Sequence, residues 1–143
     1  MTSYVLDASV AAKWISPGDN EPLVEQADSL LRWYMDGQLE LVVPDLFWSE
    51  IASFLWKAVR RNKISAATAQ DGLREMTDRN LPTVSSQKLV AEALRIAVRF
   101  DRTVYDAIYV ALAGASQISL ITADERLANA LAAYFPVRWL GAL

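Results

Sequence analysis

The sequence predicts an α/β fold of three layers, in which a short parallel sheet of four to five strands is covered by about seven helices on both faces. Two observations predict it. Short apolar runs typical of buried strands alternate along the chain with longer segments of helical periodicity. The first apolar run ends at Leu6 and passes through Asp7 directly into helix-forming residues, which is the order of a strand–helix unit in a parallel sheet.

Each predicted element follows from its apolar pattern and from the residues that end it. Gly37 is a natural helix stop, Ser65 is a helix cap, and Pro82 favours a position at the edge of the sheet. The predicted strands cover residues 3–7, 39–43, 81–84, 118–121 and 136–140. The predicted helices cover residues 8–15, 21–36, 45–61, 65–78, 86–100, 104–116 and 125–134, and the small residues of 104–116 predict a buried helix.

Composition limits the chemistry that the chain can perform. Its 143 residues suit a single domain, and 53% hydrophobic residues against 22% charged residues argue against disorder. There is no cysteine and no histidine, which removes thiolate nucleophiles, imidazole bases and the usual zinc ligands. A metal would have to be held by oxygen, which favours Mg²⁺ or Mn²⁺.

Charge and hydropathy also bear on partners and location. The formal net charge of −3 argues against a protein that only binds nucleic acid through its phosphates, although a local basic patch is compatible with this charge. The N-terminus lacks the basic start of a signal peptide, and no apolar stretch reaches membrane-spanning length. We therefore expect a soluble, cytoplasmic protein without a membrane partner.

Two carboxylates stand where buried strands end. Asp7 follows the first strand and Asp124 follows the strand at 118–121. Ligands of open parallel sheets bind outside the carboxyl ends of the strands, so both acids are candidates for a functional site. Each has a structural alternative: Asp7 as a helix cap, and Asp124 as an acid in the first turn of a helix capped by Thr122, with Glu125 completing a capping box.

Two further acids lie on helices. Glu50 shares the apolar stripe of its helix, where a carboxylate is costly unless it is paired or bound to a metal. Its structural alternative is a position at the edge of the stripe, from which it reaches water or an arginine. Asp106 begins a helix that is otherwise almost wholly apolar, so it faces either a crevice or, as a capping acid, the end of its own helix. If all four carboxylates converge, their repulsion is relieved by a divalent cation, which also activates water. The hydroxyls of Ser9 and Thr122 would then hydrogen-bond the carboxylates or metal-bound waters.

Four segments together resemble a known family. They are Val5–Val10, Glu50–Ala52, Tyr105–Ala113 and Leu120–Leu127. In this order they resemble PIN-domain ribonucleases, and most of all the VapC-like toxins of VapBC toxin–antitoxin pairs. The resemblance extends over essentially the whole chain and implies one PIN domain with a PIN-like, Rossmann-like fold.

The resemblance implies an activity and partners. It implies endonucleolytic cleavage of RNA dependent on Mg²⁺ or Mn²⁺, with Asp7, Glu50, Asp106 and Asp124 as the catalytic and metal-binding acids and Thr122 as an accompanying hydroxyl. It also implies a homodimer and a cognate antitoxin that lies across an apolar groove. The sequence leaves two other functions open: a non-catalytic binding module with the same fold, and a Mg²⁺-dependent phosphatase, against which Ser9 stands where a second aspartate is usual.

Residues outside the four segments suggest contact surfaces. Arg60, Arg61 and Lys63 could bind RNA phosphates, or could simply complement the C-terminal end of a helix. Trp48 and Trp56 lie off the apolar stripe of the same helix. They are therefore either partly buried aromatic residues or anchors of an interface.

Overall fold

The computed structural model describes residues 1–143, which form one five-stranded sheet and seven α-helices. The strands are β1 (Thr2–Leu6), β2 (Leu39–Pro44), β3 (Thr83–Val84), β4 (Ser119–Thr122) and β5 (Val137–Trp139). The helices are α1 (Ala8–Ile15), α2 (Val24–Met35), α3 (Leu46–Arg60), α4 (Ala66–Asp78), α5 (Val90–Phe100), α6 (Val104–Ser116) and α7 (Glu125–Leu131). The predicted fold class is confirmed, including the number of strands and helices.

The order of the strands positions the site. All neighbouring strands are parallel, in the order β3-β2-β1-β4-β5. The chain therefore moves outward from β1 to β3 and then crosses back to β4, so the direction of winding reverses between β1 and β4. A crevice opens at such a switch point, outside the carboxyl ends of the two strands. Asp7 directly follows β1, and Asp124 follows β4 by two residues.

The helices form two groups that enclose the sheet. Helix α1 packs against α2 and α3, and α3 packs against α4, whereas α5 pairs with α6, and α6 also contacts β1, β2 and β4. Because crossovers between parallel strands are right-handed, the two groups cover opposite faces. Every residue from Ala107 to Ala113 is buried, as the small-residue composition of this helix predicted. None of the helices combines the length and the apolar character needed to span a bilayer.

Three predicted helices are shorter in the structure by three residues or more. The helix predicted to end at residue 134 ends at Leu131, because the N–H of Tyr134 bonds to the carbonyl of Leu131 and so closes a turn in place of a further α-helical turn. The helix predicted from residue 21 begins at Val24, because Leu23 takes a left-handed backbone conformation with φ of 64° directly after Pro22. The helix predicted from residue 86 begins at Val90 and is preceded by a 3₁₀ turn, Ser86–Lys88. The carboxylate of Asp45 accepts the backbone N–H of Ser86 at 3.1 Å, which ties this turn to the start of α3.

The turn before α2 is held by a buried cation that the sequence pattern did not indicate. Lys13 is only 7% exposed. Its ammonium lies 2.6 Å from the carboxylate of Glu21 and 2.7 Å from the carbonyl oxygen of Pro22. Glu21, which the sequence placed on a helix face, is thus the partner of a buried charge. The pair fixes the segment between α1 and α2 against the C-terminal half of α1.

Candidate active site

Asp7 occupies the N-cap position of α1, but its carboxylate does not cap the helix. Instead Oδ2 accepts two side-chain hydrogen bonds, one from the Ser9 hydroxyl at 2.9 Å and one from the Thr122 hydroxyl at 2.7 Å. The side chain is 8% exposed. The carboxylate makes no hydrogen bond of cap geometry, although the nearby backbone N–H of Ser9 acts to lower its pKa. The two hydroxyls fix the orientation of the carboxylate.

The segment after β4 is bonded to the end of β1. The backbone N–H of Asp7 donates to the carbonyl of Ile121 at 3.1 Å. The Ser9 hydroxyl accepts the N–H of Ala123, and the fully buried Thr122 hydroxyl accepts the N–H of Asp124, both at 3.1 Å. Each hydroxyl thus donates to Asp7 while accepting from this segment. The network links two parts of the chain that are more than 110 residues apart in sequence.

Asp124 is the N-cap of α7. Its Oδ1 accepts the backbone N–H of Leu127 at 3.1 Å, and the residue is exposed. The capping box with Thr122 as the cap is not formed, because that hydroxyl accepts the N–H of Asp124 and Asp124 is itself the N-cap. A single cap bond occupies one carboxylate oxygen of Asp124. The other oxygen has no protein partner.

Glu50 is half-buried on α3 and is held by a tyrosine of α6. The Tyr109 hydroxyl donates to Oε1 of Glu50 at 2.6 Å, and Tyr109 itself is 1% exposed. Sequence reasoning missed this tyrosine, because it lies within an apolar helical run and was counted as core. The available signal was a buried hydroxyl that needs a partner, one turn beyond Asp106.

Asp106 lies in the first turn of α6, and its carboxylate has no hydrogen-bonded protein partner. Thr103 is the N-cap of this helix, and its hydroxyl accepts the backbone N–H of Asp106 at 3.1 Å. Thr103, and not Asp106, therefore caps this helix. Arg102, just before this helix, is a cation close enough to lower the pKa of Asp106.

The four acids influence one another electrostatically. Burial is the main cause that raises the pKa of Asp7, of Glu50 and of Asp106 above their ordinary values. The charge of Asp106 further raises the pKa of both Asp7 and Glu50, and the charge of Asp124 raises that of Asp106. Such shifts arise when like charges share a site of reduced solvation. Asp106 is therefore coupled through its charge to each of the other three carboxylates.

The donor atoms of this group suit a hard divalent cation. All are carboxylate or hydroxyl oxygens, and the chain has no histidine or cysteine to offer. No three acidic side chains are arranged as a complete set of metal ligands. An ion would therefore be held by one or two carboxylates together with water, which is the usual way that proteins bind Mg²⁺. Arg60, Arg61 and Lys63 lie elsewhere, at and just beyond the C-terminal end of α3.

The family can be decided by comparison with known proteins. A family model described as the PIN domain matches residues 4–131, which include all four acids. The chain belongs to the PIN-domain family. The sequence-based resemblance is thereby confirmed, and the match extends from β1 through α7.

Curated relatives narrow the position within the PIN-domain family. Ribonuclease VapC3 of Pyrobaculum aerophilum is 33% identical over 127 residues, covering 87% of this chain and 92% of the relative. Ribonuclease VapC9 of Mycobacterium tuberculosis is 35% identical over 123 residues, covering 80% of this chain and 94% of the relative. This PIN domain is therefore related to VapC ribonucleases over most of their length.

Solved structures share the fold of this PIN domain. A Pyrobaculum aerophilum protein superposes with a TM-score of 0.71 at 23% identity, covering 99% of this chain and 85% of the other. A chain of a toxin–antitoxin complex from Klebsiella pneumoniae superposes with a TM-score of 0.64 at 15% identity, covering 94% of this chain and 95% of the other. A chain of VapBC2 from Rickettsia felis, solved bound to a DNA fragment from its promoter, superposes with a TM-score of 0.66. The identity is 12%, and the match covers 96% of this chain and 98% of the other.

Proposed function

We propose that the protein is an endoribonuclease that hydrolyses RNA phosphodiesters with metal-activated water, and that it is the toxin of a type II toxin–antitoxin pair. The carrying observation is the group of four carboxylates at the switch point of the sheet, three of which have a pKa raised mainly by burial. Hydrolysis by water needs no histidine or thiol, and the chain has neither. Relatives named ribonuclease VapC support this substrate class.

We infer that the resident ion is Mg²⁺, with Mn²⁺ as a substitute, and that it lies among Asp7, Asp106, Glu50 and Asp124, bound directly by one or two of them and by the others through water. The all-oxygen donor set fits such an ion, and positive charge would relieve the repulsion that raises the carboxylate pKa values. When bound, the ion would lower the pKa of water and stabilise negative charge on the phosphate. The protein supplies the orientation of the acids around it.

The surrounding side chains divide this orienting task. Ser9 and Thr122 hold Oδ2 of Asp7, which keeps that carboxylate in one rotamer with Oδ1 free. Tyr109 holds Oε1 of Glu50 in the same manner. Asp106 has no such support and is free to adjust its side chain when charge or substrate arrives. Asp124 is held by its cap bond to the N–H of Leu127. Three held carboxylates beside one adjustable carboxylate suit a site that assembles its final geometry with RNA.

Partners follow from the related complexes. The Klebsiella pneumoniae chain is described as part of a toxin–antitoxin complex, and the Rickettsia felis chain as part of VapBC2. We infer that this protein also has a cognate protein antitoxin, that it forms a homodimer, and that it acts on RNA in the cytoplasm. Co-purification with the product of a neighbouring small gene, and the mass of the complex in solution, test these partners.

The decisive experiment replaces the best-oriented acid. Asp7→Asn keeps a side-chain oxygen that can accept from Ser9 and Thr122 but removes the charge. We expect it to abolish Mg²⁺-dependent cleavage of RNA and the growth arrest that expression causes, with an unchanged circular dichroism spectrum. Asp36→Asn, at the exposed end of α2, is the matched control and should cleave like wild type.

Two outcomes would contradict the proposal. If the Asp7→Asn variant cleaved RNA at the wild-type rate, the acids would have no part in the chemistry. Wild-type protein that binds its partner but neither takes up Mg²⁺ nor cuts RNA would instead be the non-catalytic module that the sequence left open.

A further inference from the structure

The C-terminal half of α3 carries a concentration of positive charge. Four of the chain's fourteen lysine and arginine residues lie between positions 57 and 63, in a protein whose net charge is −3. They are Lys57, Arg60, Arg61 and Lys63, and all four are exposed. The three ion pairs of the structure involve other residues, so these cations are not neutralised within the protein.

Two of these cations share a face of α3 with the candidate active site. Lys57 and Arg61 follow Glu50 by seven and eleven residues, and these spacings return to the same side of a helix. At about 1.5 Å per residue, they lie roughly 10 to 17 Å from Glu50 along the helix axis. A strand of about three to five stacked nucleotides, at roughly 3.4 Å each, covers this distance.

The space beside these cations is concave. Lys57, Arg61 and Lys63 line a pocket whose other wall is the C-terminal part of α1, at Ala12 and Ser16. Glu21 also borders this pocket, but its charge is paired with the buried Lys13. The pocket therefore has three unpaired positive charges and one compensated negative charge. That balance favours an anionic ligand.

An exposed indole adjoins the same cations. Trp56 is 55% exposed, and the guanidinium of Arg60 lies 4.9 Å from the centre of its ring. Together with Lys57 and Arg61, these two residues line a second, adjacent pocket. Complementing the negative end of a helix accounts for cations in the last turn, but it does not account for a large aromatic side chain left in solvent beside them.

We propose that this surface, formed by Trp56, Lys57, Arg60, Arg61 and Lys63, binds single-stranded RNA that extends from the active site. A base stacks on Trp56, and the cations hold the phosphates. An aromatic side chain beside a basic groove is the general means of binding single strands without reading their sequence. The proposal rests on the proposed ribonuclease function and adds where the substrate is held beyond the acids.

The test measures binding without cleavage. A fluorescently labelled single-stranded RNA is titrated with wild-type protein in EDTA, and its integrity is checked on a gel. We expect Trp56→Ala to weaken binding by about 10- to 100-fold, and Trp56→Phe to weaken it less, because phenylalanine still stacks. Trp33→Ala, which removes an exposed tryptophan of α2 outside both pockets, is the matched control and should bind like wild type.

Salt dependence tests the phosphate contacts separately. Lys57→Ala and Arg61→Ala should each lower the slope of log Kd against log salt concentration by roughly 0.7, the value for one lost contact to a single strand. Arg95→Ala, which removes an exposed arginine of α5, should leave the slope unchanged.

Three results would overturn the proposal: wild-type affinity in Trp56→Ala, unchanged salt slopes in both cation variants, or polyglutamate binding these cations in preference to RNA. The last result would assign the surface to an acidic protein partner. Failure of the ribonuclease proposal is distinguishable, because it would appear as cleavage by Asp7→Asn, which binding in EDTA does not measure.

Discussion

The hydroxyl of Tyr109 donates a hydrogen bond of 2.6 Å to Oε1 of Glu50 and so connects the buried helix α6 to the acid on α3. The bond favours the charged form of Glu50 and opposes the rise in its pKa that burial causes. Tyr109 has its own pKa raised by burial and by the nearby carboxylates, so it remains a donor at all physiological pH values. It therefore acts as a positioning residue for Glu50.

Tyr109→Phe should shift the pH dependence of RNA cleavage. Without the donated bond the pKa of Glu50 rises further, so the carboxylate protonates at a higher pH, and the acid limb of the rate profile moves upward in pH. We expect a several-fold loss of rate near neutral pH and partial recovery in more alkaline buffer. Tyr105→Phe, at an exposed position of the same helix, is the control. An unshifted profile would mean that Tyr109 only fills space.

The stability of the metal-free protein should fall as pH rises. The folded-state pKa of Asp7 lies above its ordinary value of 3.8, mainly through burial, so between these two values the folded state holds more protons than the unfolded state. The contribution of Asp7 to the stability of the folded state is greatest when the pH is below the ordinary pKa of the group. It is lost as the pH rises through the raised pKa of the folded state. At neutral pH the ionised, buried carboxylate therefore destabilises the fold.

Asp7→Asn isolates this effect. In EDTA at neutral pH the variant should melt at a higher temperature than wild type, and the difference should vanish in acid. Added Mg²⁺ should raise the melting temperature of wild type, through preferential binding to the folded state, but not that of the variant. Equal melting curves at every pH would contradict the assignment of a strained, buried charge.

Thr122→Val should destabilise the protein and weaken cleavage together. The fully buried hydroxyl donates to Asp7 and accepts from the backbone of Asp124, so valine leaves both groups without this partner. A cost of about 1–3 kcal/mol in the free energy of unfolding is expected for polar groups left unsatisfied. Urea denaturation measures it, with the exposed Thr2→Val as the control. A loss of stability without loss of activity would separate the two roles of Thr122.

Lys13→Met should loosen the segment between α1 and α2. The substitution leaves Glu21 and the carbonyl oxygen of Pro22 without their buried donor, at a cost of about 1–3 kcal/mol. Protection of the backbone amides of residues 16–23 from hydrogen exchange should decrease, whereas β1 should stay protected. Lys88→Met, at an exposed position, should have no measurable effect. An unchanged unfolding curve for Lys13→Met would mean that methionine replaces the pair by packing alone.

The secondary structure was predictable because local sequence determines most of it here. Short apolar runs give the buried strands, and Pro82 correctly indicated an edge, since β3 is the outer strand beside β2. The start of α2 was misplaced because a left-handed conformation at Leu23 is unusual for a leucine and leaves no pattern in the sequence. The backbone before α2 is positioned by the ion pair between Lys13 and Glu21, which is a contact between two elements and not a local preference.

The acids could be nominated from the sequence, but their partners could not. A carboxylate at the end of a strand is visible as a break in an apolar run, as at Asp7. The donors that hold it come from distant positions, such as Thr122, and from residues like Tyr109 whose composition suggests only core. The Tyr109–Glu50 bond joins helices from opposite faces of the sheet, and the Thr122–Asp7 bond joins the ends of two strands, so no local pattern encodes either of them. Whether the four acids jointly bind an ion stays a prediction.

The network that joins the end of β1 to the end of β4 has a consequence during synthesis of the chain. Asp7 leaves the ribosome 115 residues before its partner Thr122, and Asp124 is made later still. The central strand β1 also lacks its neighbour β4 until then. A growing chain therefore carries unassembled acids, and the proposed nuclease gains its site only after β4 and Asp124 have been made.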